Sequence, residues 1–249
     1  MQMIVPKKRT LAIEDCEIEE EKITDIFDNI ELININFNKC VKGYHLINTS
    51  PINETIWEDV NAVIFKKSSI EILSKSDGSH LSGMDIHCSL GKISNKSAKY
   101  EYSKHKKIIK ISSYRLTCVC SDKDCGTPTD FIEEIEKRNN YDYYSIIVRE
   151  ESDGLIHYDW LFIPSNCEVL NPAAYHWEPT IGTKKKDSQV GWKTNMIHGC
   201  SMSIRFSMSS QLWIHLDMAE MNKFIIANAT VENKSSFDYI DLVDKLNFV

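Results

Sequence analysis

An aspartate, a serine and a lysine crowd one stretch, GSHLSGMDIHCSLGKISNKSAKYEY, with Asp85 before a turn and Ser94 and Lys96 after it. Apolar–polar alternation on both sides of Gly91-Lys92 predicts a β-hairpin. A turn centred on Leu90-Gly91 sets Asp85 opposite Lys96. Side chains opposed in this way sit about 4.5–5.5 Å apart at Cβ, and Ser94 shares their face. A carboxylate is an oxygen ligand for a hard cation. A nearby ammonium can orient or help deprotonate a water, and a cation stabilises charge building on a phosphate. These are the parts of a magnesium-dependent phosphodiesterase.

Other groups have chemistry of their own to offer. Cys118, Cys120 and Cys125 could begin a zinc site completed by Cys167 or His157, although C-x-C-x4-C is not the usual paired spacing and three structural thiols fit it as well. His80 and His87 flank Asp85, and His87 has its parity, so His87 is either a neighbour of the site or a half-buried histidine. No G-x-S-x-G, P-loop or G-x-G-x-x-G occurs, which leaves serine hydrolases and common nucleotide folds without support.

The elements around the hairpin must hold it. An acidic helix is predicted in EDCEIEEEKITDIFDNI, and one or two strands in ELININFNKCVKGYHLI. Asn53-Glu54 opens ETIWEDVNAVIFKK, where Ile56, Val60, Val63 and Ile64 fall at helical spacing. SIEILSKS and KIIKISSYRLTCVC read as strands. After Gly126-Thr127-Pro128-Thr129, Asp130 and Glu133 form a capping box for DFIEEIEKRNN. YYSIIVREE and IHYDWLFIPS read as strands about Ser152-Asp153-Gly154, residues 171–196 as a long polar loop, and SMSIRFSMSSQLWIHLD as alternating strand. The C-terminal stretch holds a strand or helix and a short closing helix. The expected fold is one α/β domain of mixed α+β type over residues 1–249, a central mixed β-sheet flanked by helices.

The order helix, strand, Asp-bearing strand, tight turn and x-x-Lys, carried by Gly83-Met84-Asp85-Ile86 and Ile93-Ser94-Asn95-Lys96, resembles the core of the PD-(D/E)XK nucleases, and among them the type II restriction endonucleases. The resemblance spans about residues 54–117. It implies that Asp85 and a second acid hold one or two Mg2+ and that Lys96 assists the attacking water. Met84 stands in place of the family's proline. Ser94 stands where an Asp or Glu is usual, so the missing acid comes from elsewhere: Glu58 on the preceding helix first, Glu71 second, with Glu101 on the return strand at the wrong parity. The implied catalytic set is Asp85, Lys96, Ser94 and Glu58, and the implied metal set Asp85, Glu58 and Glu71. The implied substrate is double-stranded DNA, cut by a homodimer at a site matching two-fold symmetry.

Composition limits how DNA is bound. The 249 residues carry 29 basic and 36 acidic side chains, a net charge of −7, so contacts must come from a local basic surface. Lysines gather between residues 92 and 110 and again at 184–193. The expected DNA-binding residues are Lys99, Arg115, Lys184, Lys185, Lys186, Lys193, Arg205 and Gln211, the later ones in recognition elements at about 171–215. Eight scattered cysteines suggest reduced thiols. No apolar run reaches membrane-spanning length and no secretory h-region opens the chain, which gives a cytoplasmic, membrane-free expectation. The alternative is a non-enzymatic β-rich binding or structural protein, a viral one included.

Overall fold

The computed structural model describes residues 23, 26–76, 83–103, 106–182, 188–206, 209–238, 240 and 244. The first long element is helix α1, Ile30–His45, where alternation predicts strand. Ile33, Phe37 and Val41 recur every fourth residue and are fully buried, while the alternating Ile35 points to solvent. Asn29 caps it by accepting from the Leu32 N–H at 2.9 Å. The four-residue stripe, once packed, outweighs the Ile–Asn alternation. Helix α2, Glu54–Lys67, starts where Asn53 is expected to start it, and Asn53 accepts from Ile56 N–H at 3.0 Å. Its buried stripe is Trp57, Asn61, Ile64 and Phe65, and the expected Val63 is exposed. The larger rings take the core, and the helix turns to suit them.

Eleven strands among the described residues form a mixed sheet ordered β11-β6-β5-β3-β4-β10-β9-β8-β7, with β1 and β2 attached beside β3. The strands are β1 Ile72–Lys75, β2 Ile86–Cys88, β3 Gly91–Ser103, β4 Lys106–Arg115, β5 Tyr143–Ser152, β6 Leu155–Pro164, β7 Trp177–Ile181, β8 Gln189–Thr194, β9 Ser201–Arg205, β10 Gln211–Asp217 and β11 Ile225–Glu232. Among the described strands only β3 and β5 pair in parallel; the other ladders are antiparallel. Residues 171–196, expected as loop, contain the β7–β8 hairpin, because Trp177 and Trp192 both pack on Phe131. Lys184, Lys185 and Lys186 lie outside the described residues, as do His80, the acidic N-terminal stretch before residue 23 and most of the expected closing helix.

Helices flank both faces. Over one, Trp57 of α2 meets Trp160 edge-on at 5.2 Å, and Phe37 of α1 lies 5.9 and 5.7 Å from these rings. Over the other lies α3, Pro128–Arg138, with Phe131 against Trp177 and Trp192. The capping box of α3 is Thr127 with Asp130, three residues earlier than expected. Proline at the first helical position is preset for that start, so Asp130 reaches back instead of beginning the helix. A one-turn helix α4, Met218–Met221, follows β10.

The middle of β3 has an open edge. On one side β5 pairs with residues 93–99. On the other, β2 pairs with residues 91–93 and β4 only with residues 100–103. The two neighbours part between those stretches, and the hairpin's polar residues stand at the fork.

Candidate active site

The hairpin register is two residues from the expected one. Ile86 opposes Ile93 and Cys88 opposes Gly91, so the turn is Ser89-Leu90 and Asp85 lies across from Ser94. Gly91, at φ +128°, opens β3 with its Cα against the Asp142 carboxylate, 2.7 Å from where a Cβ would stand. A shift of two leaves every side chain on its face, so Asp85, Ser94 and Lys96 still share one.

Asp85 ends the ladder with its own side chain. Its N–H donates to Ile93 O at 2.8 Å, and its Oδ2 accepts from Asn95 N–H at 2.5 Å. On the other side Ser76 N–H donates to the Asp85 carbonyl at 2.8 Å. Gly83 sets the approach: a Cβ there would meet the Tyr141 ring at 2.8 Å and Arg138 O at 3.0 Å. Only a glycine lets this segment lie flat on Tyr141.

Lys96 reaches Glu54 of α2, Nζ to Oε1 at 2.8 Å, with the lysine side chain 14% exposed. Glu58 follows one helical turn later. Burial raises the Glu58 pKa, and the charges of Asp85 and Glu54 raise it further. Burial also raises Asp85, against the pull of Lys96, the Asn95 N–H and the Ser94 hydroxyl, while Glu54 pushes it up again. For Lys96, burial favours the neutral amine, but the attraction of Glu54 and Asp85 outweighs it and the net pKa is raised. The structure brings together Asp85, Ser94, Lys96 and Glu58, and adds Glu54. Carboxyls whose charges raise one another's pKa beside a buried ammonium are the kind of cluster in which perturbed ionisation marks a candidate functional site.

The order in which α2 presents these groups comes from one stripe. Glu54, Glu58 and Asn61 succeed one another at helical spacing, and Asn61 anchors the helix. Its Nδ2 donates to Asn95 Oδ1 at 2.6 Å and to Ser145 Oγ at 2.8 Å, while Trp160 Nε1 donates to the same Ser145 oxygen at 2.8 Å. Asn61, Asn95 and Ser145 are fully buried. Glu54 is absent from the residues expected at the site, although its four-residue spacing from Glu58 is a signal that could have found it.

Glu71 does not join the group. Its carbonyl accepts from Ser89 N–H, so it lies beside the turn, four residues or roughly 13 Å along β2 from Asp85, and its side chain is exposed. Glu101 binds Lys110 at 2.5 Å. His87 opposes Lys92 and makes no described contact with Asp85. Among the described residues no group of three His, Cys, Asp or Glu side chains is placed to hold a metal, at the cysteines or here. The cation-binding capacity on offer is the pair Asp85 and Glu58. A pair suffices for Mg2+, which ordinarily takes one or two carboxylates and completes its octahedron with water and phosphate oxygens.

Several lysines expected to bind DNA are already paired: Lys99 with Glu151 at 3.8 Å and Lys193 with Glu178 at 3.9 Å. Lys106, Lys107 and Lys110 bind Asp217, Glu150 and Glu101. Arg115, Gln211 and Arg205 instead line up across three adjacent strands: Gln211 opposes Arg115, and Leu212 opposes Ile204, which seats Arg205 next to Gln211. Beside Ser94, in the parallel ladder, stands Tyr144, whose hydroxyl meets Ser113 at 3.1 Å and that of Tyr141. Tyr141 continues to Tyr114 at 2.7 Å. Comparison with protein-family models, curated proteins and solved structures finds no match for this chain.

Proposed function

We propose that the protein is a magnesium-dependent endonuclease that hydrolyses phosphodiester bonds in double-stranded DNA, in the manner of the PD-(D/E)XK enzymes it resembles. The observation that carries this reading is the convergence of Asp85, Ser94, Lys96, Glu54 and Glu58 at the fork where β2 and β4 leave β3. Asp85 and Glu58 would hold the cation, which supplies Lewis-acid stabilisation of the phosphate when bound. Lys96, protonated and held by Glu54, offers its ammonium to a phosphate oxygen and offsets developing charge. Held as the ammonium by Glu54 and Asp85, Lys96 would act as a fixed cation at the phosphate in preference to a base. Ser94 keeps the Asp85 carboxylate oriented by a hydrogen bond. A homodimer would bring two such forks to the two strands of a symmetric site.

Incubating plasmid with the protein in Mg2+ and then in EDTA tests the reading. Discrete fragments that need Mg2+ and vanish with Asp85→Asn are expected. Uncut plasmid across divalent cations, or equal cutting by Asp85→Asn, would remove the activity from this site.

A further inference from the structure

An inner strand of the sheet carries a tryptophan that the fold leaves in solvent. Trp213 is 37% exposed although β10 runs between β4 and β9. Directly opposite it are Ser112 on one side and Ser203 on the other. Side chains this short leave the flanks of the indole uncovered, where an aromatic or β-branched partner would ordinarily pack. About 7 Å further along β10 lies the row Arg115, Gln211 and Arg205, Arg115 being brought opposite Gln211 by a bulge that adds one residue to β4 after Ser112. Both arginines are exposed, and among the described residues neither guanidinium has a carboxylate partner.

We propose that this face of β4, β10 and β9 binds single-stranded DNA, with a base stacked on Trp213 and backbone phosphates held by Arg115 and Arg205. An exposed ring between serines is a platform for any base, since every base has a π-face. Arginine forks match phosphate oxygens two at a time, and the Gln211 amide offers a donor and an acceptor to a base edge. The neighbours of Trp213 on this face are serine, glutamine, histidine and arginine, so the surface lacks the contiguous apolar area that a protein partner would bury. An intact duplex keeps its bases stacked on one another and presents none to the ring.

The alternation along β3 and β4 puts Trp213 on the sheet face against which α2 packs, two strands from β3. The surface therefore lies on the face that Asn95 and α2 share, opposite the one on which Ser94 and Lys96 stand, and a DNA stretch opened beside the cut would reach it around the fork in the sheet. The inference rests on the nuclease reading for the identity of the polymer, while the surface itself is read from its own residues.

Anisotropy of a labelled single-stranded oligonucleotide and of its duplex, titrated with protein in EDTA, separates the two. Wild type should bind the single strand more tightly than the duplex. Trp213→Ala should weaken single-strand binding roughly ten-fold or more, Trp213→Phe should restore most of it, and thermal unfolding of both should match wild type. Arg115→Ala with Arg205→Ala should flatten the dependence of log K on log salt by about 0.7 for each phosphate no longer held. Equal affinity of wild type and Trp213→Ala for the single strand overturns the proposal. So does a preference for duplex, or a failure of wild type to bind either oligonucleotide. Mg2+-dependent cutting with unchanged Trp213→Ala binding removes this surface and leaves the nuclease; Trp213-dependent binding with no cutting does the reverse.

Discussion

Asp85 and Glu58 bind a proton more readily in the folded chain than in the unfolded one, because burial opposes ionisation and the Glu54 charge adds to it at both, with the Asp85 charge adding further at Glu58. Their contribution favours folding at pH below the ordinary carboxylate range and is lost as pH rises through their raised folded-state values. Where both are ionised they cost stability, a cost that a bound cation would offset. Asp85→Asn should therefore raise the Tm at neutral pH while ending cleavage, and calorimetric scans at neutral and mildly acid pH should show the gain shrinking as pH falls. Mg2+ should raise the Tm of wild type through binding linkage and leave that of Asp85→Asn unchanged. An equal Mg2+ shift in both proteins would place the cation elsewhere. The wild-type Mg2+ response should fade on acidification at higher pH than for an ordinary carboxylate, since a protonated pair is no ligand.

The fork depends on how β2 is seated, and that depends on Gly83. Its position against the Tyr141 ring and the end of α3 leaves no space for a methyl group. Neither neighbour is the free end of a flexible side chain: one is a buried ring and the other a backbone carbonyl. Gly83→Ala should lower the Tm by several degrees, on the order of 1–3 kcal/mol for an overpacked site. It should also cut the single-turnover rate, because Asp85 moves with the strand. Full activity and unchanged Tm in this variant would mean that the segment relaxes without disturbing Asp85. On the other side of the fork, the buried Asn61–Asn95–Ser145 hydrogen bonds lock the register of α2 on β3 and β5. A polar stripe in a helix otherwise packed with Trp57 and Phe65 is readable in the sequence; its partners on two strands are not.

Across the whole molecule, the net charge of −7 and the pairing of most described lysines on the β3–β4 strands leave few cations to meet a phosphate backbone. Binding of Asp85→Asn to duplex DNA should have a modest salt dependence, a slope of roughly −2 to −4 in log K against log salt between about 50 and 200 mM, at about −0.9 per phosphate. Measured by anisotropy, a slope near −8 would assign the binding to lysines other than those described. Among the described residues no helix is long and apolar enough to cross a membrane, in keeping with the absence of a long apolar run in the sequence.

Sequence by itself determined which residues could do chemistry and on which face of the hairpin they stand, because a strand's two-residue period survives an error of two in register. It also determined the start of α2 at Asn53, the β5–β6 hairpin around Asp153-Gly154, and the mixed sheet flanked by helices. Alternation misread α1, since a spacing of four and a spacing of two coexist in ELININFNKCV and only packing against Trp57 and Trp160 chooses between them. Residues 171–196 looked like loop because β7 and β8 are short and polar on one side, and their tryptophans gain a reason to be strand only when α3 arrives. Tertiary structure alone decided that Glu54 meets Lys96, that Glu71 lies a hairpin's length away, and that Arg115, Gln211 and Arg205 form one row. Each of these joins segments far apart in the chain, where position is settled by which strands pair and which helix covers them, and local sequence carries no record of that choice.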